Sequence, residues 1–261
     1  MRIARFEVGG LARYGIVEGD FVVEIRGDVF GSFDTTSTSH ALGDVNLLAP
    51  VTPSQMFGPG VNFADHLHEA TSITGQAEMA ATPQPWHKAI SAIINPGDDI
   101  VIPYDSTTGI QHEGECLAVI GKTARRVSPE DAWDHIIGYT CGNDISERTW
   151  QRNDNSMWRG KGSDTFAPMG PWIDTDFDPR SGGDMIVRLN GEEVQRASSS
   201  DMYFNFGVLV SYISQQMTLK PGDVVWSGTT GDPRNMVPGD KVEVEVQGIG
   251  ILENSVVMEQ K

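Results

Sequence analysis

Three acidic residues carry the most specific chemistry in this chain. Glu113 and Glu115 flank a glycine in the run Glu113-Gly114-Glu115-Cys116-Leu117-Ala118-Val119-Ile120. The run reads as a strand, so Glu113 and Glu115 point to one side, roughly 7 Å apart along the backbone. Two carboxylates held side by side repel unless a cation lies between them. Gly114 leaves the other face bare, which suits close approach of a neighbouring backbone. Asp144, after the apolar run Ile136-Ile137-Gly138-Tyr139-Thr140, could supply a third oxygen. Three carboxylates suit hard ions, namely Mg²⁺, Mn²⁺ or Ca²⁺, better than Zn²⁺. By itself Glu-x-Glu is the ordinary mark of a solvated strand face, although this strand continues wholly apolar.

Two other groups could handle protons or negative charge. His66 and Glu69 lie three residues apart in Gly60-Val61-Asn62-Phe63-Ala64-Asp65-His66-Leu67-His68-Glu69. On a helical turn they share a face, so Glu69 could orient His66 and raise its basicity. A surface His/Glu pair would look the same. His68 falls off that face, and His112 reads as a loop residue before Glu113. Lys161 stands among glycines in Trp158-Arg159-Gly160-Lys161-Gly162-Ser163-Asp164, where a cation could approach a ligand closely or simply be solvated.

These residues need a scaffold, and the chain is long enough to supply one. It has 261 residues, 39% of them hydrophobic, enough for a large domain with a smaller one. Residues 2–7, 11–17 and 21–25 are short alternating segments, so residues 1–50 read as a small β-rich unit. The Ser/Thr run at 32–40 reads as a loop. Leu47-Leu48-Ala49-Pro50-Val51-Thr52-Pro53 reads as an extended connection, with the boundary there and a catalytic domain over 51–261. Spacing of Val208, Leu209, Tyr212, Ile213 and Gln216 predicts a helix over 206–217. Ser128-Pro129 predicts a helix start, and Asn190-Gly191 a hairpin between 185–189 and 192–197. Pro-Gly-Asp at Pro96, Pro221 and Pro238 predicts type II turns that feed strands. Residues 242–246 and 249–257 complete a mostly β protein with some α.

Composition excludes several partners. The 36 acidic residues exceed the 19 basic ones, for a formal charge of −17, so no basic surface is expected for nucleic acid or anionic membranes. No stretch approaches the ~20 apolar residues of a membrane span. Two cysteines without a CxxC spacing, and an N-terminus without an apolar signal segment, lead us to expect a cytoplasmic enzyme.

Taken in order, the segments resemble the fumarylacetoacetate hydrolase family from about Leu47 to the C-terminus. The matching pieces begin with Gly60-Val61-Asn62-Phe63, His66 and Glu69, then Glu113-Gly114-Glu115 with Val119-Ile120-Gly121-Lys122. They continue through Gly138-Tyr139-Thr140, Asn143-Asp144-Ile145-Ser146-Glu147-Arg148 and Gln151. They end with Lys161 to Trp172, Thr218-Leu219-Lys220-Pro221-Gly222-Asp223, Ser227-Gly228-Thr229 and Gly248-Ile249-Gly250. The resemblance implies an α+β fold of mixed sheets with a small N-terminal domain, usually as a homodimer. It implies Mg²⁺ or Mn²⁺ on Glu113, Glu115 and Asp144, and His66 with Glu69 as the base. It implies substrate or oxyanion contacts from Arg148, Gln151 and Lys161, and a carboxylate contact from Thr229.

The expected substrate is a small 2-oxo acid. The intact dyad favours carbon–carbon hydrolysis of an acylpyruvate, in catabolism of aromatic compounds. The alternatives are oxaloacetate decarboxylation, isomerisation of an unsaturated oxo-diacid such as 2-hydroxyhepta-2,4-diene-1,7-dioate, and a non-catalytic binding protein. Three positions depart from the family. Phe63 stands for a tyrosine, Trp86-His87-Lys88 for a Phe-x-Lys stretch, and Gly228-Thr229-Thr230-Gly231-Asp232 for Gly-Thr-Pro-x-Gly.

Overall fold

A computed structural model describes residues 1–67, 71, 78–231 and 233–260. The expected mostly β architecture with a few helices is what forms. The first 50 residues contribute β1 (Arg2–Val8), β2 (Leu11–Glu18), β3 (Phe21–Gly27), β4 (Phe33–Ala41) and β5 (Asn46–Leu48). Short strands follow: β6 (Met56–Gly58), β7 (Trp86–Lys88), β8 (Ile93–Ile94), β9 (Ile100–Ile102) and β10 (Ile110–Gln111). The long central pair is β11 (Gly114–Ile120) and β12 (Ile136–Asn143), joined by β13 (Ala167–Asp174). The remainder are β14 (Asp184–Leu189), β15 (Glu192–Ser198), β16 (Val224–Trp226), β17 (Asn235–Met236), β18 (Lys241–Val246) and β19 (Gly250–Met258). The α-helices whose bounds lie wholly among the described residues are α1 (Arg148–Asn153), α2 (Trp158–Gly162) and α3 (Phe206–Ser214).

The large sheet runs β4-β3-β2-β1-β13-β12-β11-β16-β6-β7, so the N-terminal strands extend the sheet that carries the acidic pair. A second sheet, β15-β14-β18-β19-β9, packs against β11, β12 and β13. Every residue of β11 is buried, because one face meets this second sheet and the other lines the site.

Turn chemistry behaves as the sequence predicts. Asn190 and Gly191 both have positive φ, 53° and 82°, and close the β14–β15 hairpin. Gly97, Gly222 and Gly239 all have positive φ after their prolines, as a type II turn requires at that position. The helix predicted over 206–217 is observed over Phe206–Ser214, with Asn205 accepting from Val208 N at its start. Two expectations are corrected. The Ser/Thr run at 32–40 is not a loop but most of strand β4, paired antiparallel to β3 at the sheet edge. With much of both faces exposed, such an edge strand needs few apolar residues, and threonine favours extended backbone. After Ser128-Pro129 the chain forms only a 3₁₀ turn, Asp131–His135, although Ser128 does accept from Asp131 N as a cap should.

Candidate active site

The acidic cluster is built by the β11–β12 pair. Glu113 lies one residue before β11 and Glu115 within it, two residues apart and therefore on one face. The register pairs Gly114 with Asn143, and Asp144 N donates to Glu113 O at 2.8 Å. Asn143 Oδ1 accepts from Glu113 N at 2.9 Å. One oxygen from each of Glu113, Glu115 and Asp144 lies within 4.8 Å of the others, and all three residues are buried. The bare face of Gly114 has its reason in the second sheet. A Cβ there would sit 2.3 Å from Val187 Cγ2 and 3.3 Å from Val244 Cγ1.

Three cations meet the three carboxylates. Lys161 Nζ donates to Glu113 Oε2, and to Asp144 Oδ2 at 2.7 Å. Arg148 Nη1 lies 2.6 Å from Glu113 Oε1. Lys88 Nζ donates to Asp144 Oδ1 at 2.5 Å and to the Lys161 carbonyl at 2.6 Å. Glu115 has a weaker partner: its Oε2 accepts from Gly228 N at 2.7 Å. Titration follows from this division. Burial, then the Asp144 and Glu113 charges, push the Glu115 carboxyl well above the usual carboxylate range. Burial pushes Glu113 the same way, but Lys161 and Arg148 outweigh it and hold Glu113 below that range. Burial lowers Lys88, partly offset by Asp144. For Lys161, Asp144 and Glu113 overcome burial and raise it. A buried cluster of six ionisable groups is expensive to desolvate, which points to function rather than stability.

Lys88 is the residue the sequence reading missed. It was visible only as part of the Trp86-His87-Lys88 departure, yet its side chain is fully buried. The signal was a lysine two residues after an aromatic one in a short apolar stretch. Strand alternation puts both on one side, and Lys88 Nζ lies 5.8 Å from the Trp86 ring centre and 5.4 Å from that of Trp226.

Four of the predicted residues share a pocket with the triad. His66, Gln151, Lys161 and Thr229 line one pocket with the three carboxylates, beside Trp86, Met157 and Gly228. His66 is buried and ends the 3₁₀ turn Ala64–His66. Its Nδ1–H donates to the Gly231 carbonyl at 2.8 Å, because a carbonyl can only accept. In the neutral ring this makes Nε2 the acceptor nitrogen. Glu69, expected to orient His66, lies outside the described residues. Arg148 Nε donates to Gln111 Oε1 at 2.6 Å, and its Nη1 donates to Gln151 Oε1 at 2.9 Å. That fixes the Gln151 amide with its oxygen turned to Arg148. Helices α1 and α2 can pack this closely because Gly160 faces α1, where a Cβ would meet Gln151 N at 2.7 Å. The Thr229 hydroxyl donates to Gly114 O at 3.1 Å, so a substrate carboxylate would have to displace that bond. Of the three departures, Phe63 is a buried core residue, Trp86 lines the pocket, and the Thr230 carbonyl accepts from Gln195.

The fold and site define an acid-triad enzyme of mixed β-sheets, and comparison with known proteins gives the family. The family model described as fumarylacetoacetate (FAA) hydrolase C-terminal matches residues 55–257, and one described as Rv2993c-like, N-terminal matches residues 1–50. A solved structure named 5-carboxymethyl-2-hydroxymuconate delta-isomerase, from Mycobacterium smegmatis, is 37% identical with a TM-score of 0.91, covering 99% of this chain and 100% of that one. Oxaloacetate tautomerase YisK of Bacillus subtilis is 33% identical over 92% of this chain and 84% of its own length. Maleylpyruvate hydrolase from Sphingobium sp. SYK-6, solved with manganese(II) and pyruvate, is 28% identical with a TM-score of 0.81 and covers both chains fully. The chain belongs to the fumarylacetoacetate hydrolase family, whose members are hydrolases, isomerases and tautomerases.

Proposed function

We propose that this chain is a divalent-metal-dependent hydrolase that cleaves a carbon–carbon bond in an acylpyruvate-type 2,4-dioxo acid, fumarylpyruvate- or fumarylacetoacetate-like. A role in breakdown of aromatic compounds and assembly as a homodimer belong to the same proposal. The observation that carries it is His66, with Nδ1–H committed to Gly231, lining the same pocket as the buried triad.

The donor set fits a hard dication. Three carboxylate oxygens converge, no thiolate or imidazole is among them, and Glu115 has no cationic hydrogen-bond or ion-pair partner of its own among the described residues. Glu113, Glu115 and Asp144 would hold Mg²⁺ or Mn²⁺. Bound there, the ion would act as a Lewis acid toward the carboxylate and 2-oxo oxygens of the substrate and favour its enolate. The protein's own groups do the rest. His66 Nε2 takes a proton from water, and the hydroxide adds to the 4-oxo carbon. Lys161 and the Gln151 amide donate to the oxyanion that forms. The carbon–carbon bond then breaks toward the 2-oxo acid, pyruvate leaves as its enolate, and a proton returns to its methylene carbon. Arg148 keeps Gln151 oriented throughout.

A second reading rests on the same base. Interconversion of oxo and enol forms of an oxaloacetate-like acid needs a positioned proton acceptor and no attacking water, and a tautomerase of that acid is among the relatives. Turnover of acylpyruvates, oxaloacetate and unsaturated oxo-diacids, with and without Mg²⁺ or Mn²⁺, separates the two. Metal-dependent release of pyruvate from an acylpyruvate supports hydrolysis. Proton exchange or decarboxylation of oxaloacetate, with every acylpyruvate left intact, would remove it.

A further inference from the structure

Residues 228–231 join the two halves of the site. Gly228 N holds Glu115, the Thr229 hydroxyl holds Gly114 O, and the Gly231 carbonyl holds His66 Nδ1. Gly228 and Gly231 both have positive φ, 79° and 60°, so the turn has little rigidity of its own. Something outside the turn must set where it sits.

A further group that holds it is Gln195, a buried side chain on β15 to which neither the catalytic reading nor the family resemblance assigns a part. Its Nε2 donates to Thr229 Oγ1 at 3.0 Å and to the Thr230 carbonyl. Because the Thr230 carbonyl can only accept, the amide orientation is settled: nitrogen toward the turn, oxygen away. His112 lies near the Gln195 side chain. His112 Nε2 accepts from Arg234 N at 3.1 Å, which leaves the ring proton on Nδ1. Nδ1 of His112 and Oε1 of Gln195 are both buried without a hydrogen-bond partner among the described residues. The observed chain runs from donor to acceptor through Gln195 Nε2, Thr229 Oγ1 and Gly114 O.

We propose that Gln195 is a positioning residue for His66: its amide clamps residues 228–231 to the β14–β15 hairpin and so fixes the carbonyl that selects the His66 ring tautomer. Gln195 touches neither substrate nor metal in this account. It acts through the Gly231 carbonyl. A histidine without such a partner favours the proton on Nε2, the nitrogen that must be bare to accept a proton from water. Loosening the turn therefore moves the ring toward the unproductive tautomer. The catalytic consequence rests on the hydrolase reading; the tautomer does not.

The test is ¹⁵N NMR of the imidazoles in the whole protein, with steady-state kinetics beside it. In the parent, His66 Nδ1 should carry the proton and Nε2 should show the shift of an unprotonated ring nitrogen. In Gln195→Met, which keeps the volume and removes both donors, a substantial share of His66 should carry the proton on Nε2. Acylpyruvate kcat should fall about tenfold with KM within about twofold. Gln195→Asn keeps an amide but is a methylene too short to reach Thr230, and serves where the methionine variant fails to fold. A folded variant with the parental His66 tautomer overturns the proposal. A shifted tautomer in a protein that hydrolyses no acylpyruvate upholds the clamp and removes only the hydrolase reading.

Discussion

Glu115 is the carboxylate with most to gain from a cation. It faces Asp144 and Glu113 with one backbone donor for compensation, and it keeps its proton well above the usual carboxylate range. A folded-state value raised above the unfolded one means that this group weakens the metal-free fold as pH climbs from the unfolded value of about 4.5 toward the raised one. A dication requires the deprotonated form, so binding should release a proton and tighten as pH rises through that window. Calorimetry of Mn²⁺ binding in buffers of different ionisation enthalpy reads this directly. Loss of a partner beyond the ligands costs about 10–100-fold in metal affinity, so Glu115→Ala should cost at least that and abolish the proton release. Unchanged affinity in Glu115→Ala would place the metal elsewhere. At this scale the triad and His66 stood out through the ordered family resemblance, because Glu-x-Glu and a His/Glu pair read alone also fit solvated faces. Lys88 and Gln195 did not. Their roles come from pairings with Asp144 and Thr230, 56 and 35 residues away, which no local pattern encodes.

The elements matter through how closely they approach. Gly114 lets β11 lie against β14 and β18 at a distance no side chain would allow, and that fixes the height of Glu113 and Glu115 above the second sheet. Gly114→Ala must push the sheets apart or bend the strand, and overpacking of this kind costs about 1–3 kcal/mol. Chemical denaturation should show that loss, and Mn²⁺ affinity should fall with it because the paired carboxylates shift. A variant with parental stability and parental affinity would mean that the sheets yield freely there. The bareness of this face was visible in the sequence; what filled it was not. Strand β4 shows the converse. Its Ser/Thr composition fits a loop when read alone and becomes a strand because β3 offers a free edge. Turns and hairpins were the most legible elements, since glycine after proline or asparagine acts within two residues.

At the scale of the molecule, the acidic surface and the cationic site divide the charge. The chain carries −17 overall, yet Lys88, Arg148 and Lys161 gather against the triad, and Lys161 lines the pocket that the proposed anionic substrate would enter. Light scattering at low micromolar concentration should report a homodimer, and a mass near 28.4 kDa would contradict that part of the proposal. The central claim is that His66 activates water beside a metal held by Glu113, Glu115 and Asp144. Its most direct measurement is acylpyruvate hydrolysis by His66→Ala, with Mn²⁺ affinity measured on the same preparation. General-base catalysis is worth about 10²–10⁴-fold, so the account predicts a loss of that size with metal binding retained. Parental hydrolysis in His66→Ala with the metal bound would contradict it.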